Sequence, residues 1–84
     1  MLNDPFVIET ARSWSARLDT KQSDSLKIDS LFIQALGRPA SPNEQQACRR
    51  YLAELLKANG GNQPASWQDL AQSILNLKEF LYLK

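Results

Sequence analysis

The sequence predicts an all-α fold, a compact bundle of four helices forming a single domain over residues 1–84, and three observations carry that reading. Leucine occurs 13 times, whereas Val, Ile and Thr together number only seven, a ratio that favours helix over strand. Apolar residues recur at spacings of three and four along most of the chain. Proline and glycine clusters, together with one polar run, cut the chain into four such stretches. With 43% apolar and 23% charged residues, the composition is globular, not disordered.

The first helix is expected over residues 5–18. Asp4 suits the N-cap, and Pro5 suits the N1 position, where a missing N–H costs nothing. Val7, Ala11, Trp14 and Leu18 form one stripe, which Ile8 widens, with Glu9, Arg12 and Arg17 off it. The linker from Asp19 to Ser23 is polar throughout.

The second helix is expected over residues 24–36, capped by Ser23 or Asp24 and stopped by Gly37 in a left-handed conformation. Ile28, Leu31, Phe32, Ala35 and Leu36 share one face, while Leu26 and Ile33 make a second stripe on nearly the opposite side. A helix apolar on two sides is usually central, so this one is expected in the middle of the bundle.

Two prolines in Arg38-Pro-Ala-Ser-Pro42 forbid continuation of that helix. Ser41-Pro-Asn-Glu44 then fits a capping box with Pro42 at N1 and Glu44 at N3. The third helix, residues 42–58, should bury Ala47, Cys48, Tyr51, Leu52, Leu55 and Leu56 and show solvent Gln46, Arg49, Arg50, Glu54 and Lys57. Asn59-Gly-Gly-Asn62 ends it. For the fourth helix, residues 67–78, Ser66 offers an N-cap and Asp69 an acidic N3, with Trp67, Leu70, Ala71, Ile74 and Leu77 as the buried face. The apolar tail after it, residues 79–84, fits either a continued helix or a packed turn. Phe80 and Tyr82 in this tail leave the main stripe in both geometries, which makes them candidates for an interaction surface.

Function classes are narrowed mainly by what is missing. There is no histidine and Cys48 is the single cysteine, so a Ser-His-Asp or Cys-His nucleophile, a Cys/His zinc site, a c-type haem attachment and an intrachain disulfide are all excluded. No Gly-rich phosphate loop is present, and no cofactor, small-molecule substrate or enzymatic activity is expected. Asp24 with Asp29, or Glu44 with Asp69, lack metal-ligand spacing and read as helix-cap acids. Cys48 reads as a small core residue, and the aromatic residues Trp14, Phe32, Tyr51 and Trp67 as core. Arg38 sits where a cation would bond the last carbonyls of the second helix, or reach a carboxylate on another domain.

The formal net charge is +1, and Arg49, Arg50 and Lys57 share their helix with Glu44 and Glu54. No basic stripe forms, so no nucleic-acid partner is expected. No segment reaches the roughly 18–20 apolar residues of a membrane span, nor does the start carry a secretion signal. The compartment stays open.

Three strings, Leu2-Asn-Asp-Pro-Phe-Val7, Leu31-Phe32 through Leu36-Gly-Arg-Pro39 with Ser41-Pro42, and Ile74-Leu-Asn-Leu-Lys-Glu-Phe80, occur in this order over nearly the whole chain. Together they resemble the C-terminal part of an uncharacterised domain found in large planctomycete proteins, often alongside a planctomycete-type cytochrome c domain. The resemblance implies no catalytic residue to carry over, and the haem chemistry belongs to a different domain. It implies a non-catalytic helical module with a structural or protein-interaction role, contacting other domains of a parent protein or itself. The alternative is a small stand-alone DNA-associated regulatory protein.

Overall fold

A computed structural model describes the backbone of residues 5–82 and side chains through Leu77. Four helices follow one another: α1 (Pro5–Ala16), α2 (Asp24–Leu36), α3 (Pro42–Ala58) and α4 (Gln63–Tyr82). No strand occurs among the described residues. The all-α four-helix bundle is therefore the fold, with the central position and some boundaries differing from expectation.

Helix α1 stops at Ala16, two residues short of the expected Leu18. The chain tightens into a turn there, with Arg17 and Leu18 donating backbone hydrogen bonds to Trp14 and Ser15 carbonyls. Leu18 still packs against the core from outside the helix. Asp4, the expected N-cap, lies outside the described residues.

Helix α2 has the expected bounds. Ser23 Oγ accepts the Leu26 N–H at 3.3 Å, satisfying one orphan donor of the first turn. At the other end Gly37 has φ of 75° and donates its N–H to the Ile33 carbonyl, a left-handed cap that a Cβ would strain.

The expected central role belongs to α4, not α2. Helix α4 packs against α1, α2 and α3, while α1 rests chiefly on α4. The core consists of Val7 and Ala11 of α1, Ile28, Leu31, Phe32 and Ala35 of α2, Leu52 of α3, and Trp67, Leu70, Ala71, Ile74 and Leu75 of α4. Five of these twelve come from α4. Helix α2 contributes only one of its two apolar faces: Leu26 and Ile33 remain 52% and 53% exposed.

Helix α4 begins four residues before the expected start. Asn62, not Ser66, caps it, with Asn62 Oδ1 accepting the Ala65 N–H at 3.1 Å. Ser66 is fully buried inside the first turn and donates to the Asn62 carbonyl. The helix runs on to Tyr82, so residues 79–82 are helical and not a turn. The side chains of Phe80 and Tyr82 lie outside the described residues.

Two side-chain clasps fix α3 between its neighbours. Gln45, which is buried, donates to the Ser25 carbonyl at 2.9 Å and to Asp29 Oδ1 at 2.8 Å. The same Asp29 oxygen accepts the Ala40 N–H, so a single carboxylate ties α2 to the loop and to α3. On the other side Asn59 Nδ2 donates to Ser66 Oγ and Asp69 Oδ2, each at 3.2 Å. Ser73 Oγ donates to the Tyr51 hydroxyl at 3.4 Å. These polar contacts flank the expected apolar seam, in which Cys48, Tyr51, Leu55 and Leu56 pack half-buried against the core. Ala47 is exposed, Leu52 alone among the six expected α3 residues is fully buried, and Leu77 of α4 is 38% exposed. Leu75 takes the buried place expected for Leu77.

Candidate interaction site

The loop between α2 and α3 builds the strongest local electrostatic arrangement. Glu44 Oε1 accepts the Ser41 N–H at 2.8 Å, and Ser41 Oγ accepts the Glu44 N–H at 3.2 Å, which completes the capping box. Arg38 grips the same carboxylate with both guanidinium ends, at 2.7 Å to Oε1 and 3.0 Å to Oε2. Its Nη1 also donates to the Pro39 carbonyl, and its guanidinium lies 5.9 Å from the Phe32 ring centre. The Arg38 hydrogen bond, followed by that of the Ser41 backbone, holds the Glu44 carboxyl down to about 2. Arg38 thus does not bond the last α2 carbonyls, as one of its two expected roles required. Its carboxylate is on its own chain, six residues on.

Two further candidate acids have structural partners. Asp29 accepts from Gln45 and Ala40, and Asp69 from Asn59. Among the described residues no three His, Cys, Asp or Glu side chains cluster as a metal would require. Cys48 is half-buried on α3, and its thiol is pushed up first by burial and then by the Glu44 charge. Arg49, Arg50 and Lys57 are all exposed, but adjacent helix residues diverge by about 100° and give no continuous basic face. No helix among the described residues is long and apolar enough to cross a membrane.

What the surface does offer is the outer side of α2. Leu26 and Ile33 lie seven residues apart, two helical turns, so their side chains line one face. With Pro39 they form the apolar part of a shallow groove of about 340 Å³, whose polar part is Gln22, Asp29, Ser30 and Gln34. Phe6, at the start of α1, is 76% exposed. Its position off the Val7–Ala11 stripe was readable as exposure, but one such residue is ordinary on a protein surface.

A second concavity, about 520 Å³, opens where the end of α1 and the α1–α2 loop meet the first turns of α2 and α4. Leu18, Pro64 and Trp67 supply its apolar wall, and Gln22, Asp24 and Lys27 its polar edge. The Lys27 ammonium lies 5.1 Å from the centre of the Trp67 ring. The Trp67 indole N–H is already engaged by Gln63 Oε1 at 3.2 Å.

Compared with known proteins, the chain matches no family model, no curated protein and no solved structure.

Proposed function

We propose that this chain is a non-catalytic helical module that holds protein to protein, in a larger multidomain protein of the planctomycete type that its sequence strings resemble. The observation that supports this reading best is the exposed pair Leu26 and Ile33 on α2. The helix has already filled its place in the core with Ile28, Leu31, Phe32 and Ala35. A second apolar stripe on the far side adds nothing to that core and costs hydration while it stays in water. Covering it returns roughly 25 cal/mol for each Å² removed from solvent. Another domain of the same polypeptide or a second copy of the chain would supply the cover.

The Phe80 and Tyr82 surface proposed from the tail is a separate candidate, and the outer α2 face stands without it. A photo-crosslinking residue placed at position 33 tests the reading, with the same residue at position 50 as an exposed control on another helix. The expected product is a specific crosslink from position 33 to a second copy or to another segment of the parent polypeptide. Equal, non-specific labelling from both positions would overturn it.

A further inference from the structure

We propose that the cleft between the end of α1 and the first turns of α2 and α4 binds a small aromatic monocarboxylate, with its carboxylate on Lys27 and its ring against Leu18 and Pro64.

Volume comes first: about 520 Å³ lies within the range of roughly 300–1,000 Å³ that small-molecule clefts occupy. A single-ring acid would fill part of it and leave room for a modest substituent.

The state of Lys27 decides the sign of the ligand. Asp24 stands three residues before it on α2, a spacing at which opposite charges commonly pair. Yet Lys27 makes no ion pair among the described residues, and the ammonium is turned across to the Trp67 face. The indole holds it by its ring quadrupole without neutralising it, so the cation keeps its capacity for an anion at the cleft edge. An ammonium so placed is a point donor that accepts a carboxylate in many orientations. Backbone donors add little at the α4 side. Pro64 has no N–H, Ala65 donates to Asn62 Oδ1 and Ser66 to the Asn62 carbonyl. Among the described residues Lys27 is the one cation in the cleft lining and carries the charged contact.

The apolar wall decides the rest of the ligand. Pro64 is exposed and Leu18 half-buried, so both present surface to a ring. The indole N–H is taken by Gln63, which removes it as a competing polar contact. Asp24 also lines the cleft and would repel a second carboxylate, which makes a monoacid the better occupant than a diacid.

The bland role for the same contact is a clamp between α2 and α4, and the experiment separates the two. Benzoate, the isosteric neutral benzamide, and benzylamine are titrated into the 84-residue chain, with amide shifts followed by ¹H–¹⁵N correlation spectra. Saturable shifts from benzoate at about millimolar concentration are expected at residues 18, 22, 24, 27, 63 and 65–67. Benzamide should bind at least about tenfold more weakly, and benzylamine, which Lys27 repels and Asp24 attracts, no more tightly than benzamide. Lys27→Arg keeps the cation and should keep benzoate binding, whereas Lys27→Met, which retains the stem, should lose it. Equal binding of benzoate and benzamide by the unaltered chain would overturn the proposal, as would shifts that never saturate or that fall elsewhere. The comparison of the three ligands needs no variant, so a failure of Lys27→Met to fold would not blunt the test.

Discussion

Both faces of α2 carry large apolar residues in sequence, and their fates are opposite. Ile28, Leu31, Phe32 and Ala35 are 0–4% exposed, while Leu26 and Ile33, on the same thirteen-residue helix, are more than half exposed. Hydrophobicity sorts residues by their cost in water, and that cost does not depend on whether the cover comes from the same chain or another one. The difference is geometric. Helix α4 runs for 20 residues and takes the position between the other three helices, so α2 packs against α4 and α3 and leaves Leu26 and Ile33 outside both contacts.

That contrast sets the order of effects expected from mutation. The largest belongs to the inner face. Phe32→Ala removes a fully buried ring from the junction of α2 with α4 and should cost about 3–5 kcal/mol in urea unfolding. A cost below about 1 kcal/mol would mean that the inner face is not the core and would break the comparison at its strong end.

Next comes the clasp that holds the inner face in register. Gln45→Ala leaves the Asp29 carboxylate and the Ser25 carbonyl without their buried donor. A loss of roughly 1–3 kcal/mol is expected, and Asp29→Asn in the same background should then cost little more, because the network is already broken.

The capping box at the start of α3 gives a smaller effect with a pH signature. Ser41→Ala should cost about 1 kcal/mol. The Glu44 carboxyl sits at about 2 in the folded chain against an ordinary value of 4.5, so the folded state favours its charged form. Its contribution is complete above pH 4.5 and is lost as the pH falls from about 4.5 towards about 2. Glu44→Gln should therefore flatten the acid limb of the stability profile in that window and leave the slope near neutrality unchanged. An unchanged acid limb would show that the Arg38 contact does not persist in solution.

How far these features were legible in the sequence follows from how local their causes are. The Ser41-Pro42-Glu44 box and the Gly37 stop depend on a few adjacent residues, and both form as the residue types predict. The start of α4 also looked local, since Ser66 and Asp69 have capping-box spacing. Both side chains answer instead to Asn59, the cap at the end of α3, and that contact exists only once the two helices pack. The same holds for Gln45, a polar residue whose burial makes sense only beside Asp29 and Ser25. The place of Arg38 after Gly37 points to a cationic contact, but its partner Glu44 lies across a loop with two prolines. The Lys27–Trp67 contact spans forty residues of sequence and left no local mark. The periodicity marks Leu26 and Ile33 as a second stripe, and the stripe is there. Their placement failed because a periodic pattern names a face without naming what covers it.

The smallest expected effect is the most informative. In the double variant Leu26→Ser, Ile33→Ser, urea unfolding of the isolated chain at low concentration should give a midpoint and slope within about 0.5 kcal/mol of the unaltered protein. Such a result would show that the outer stripe contributes nothing to the module's own fold and is free for a partner. A loss of several kcal/mol, comparable to that of Phe32→Ala, would instead make both faces of α2 part of the core and contradict the account.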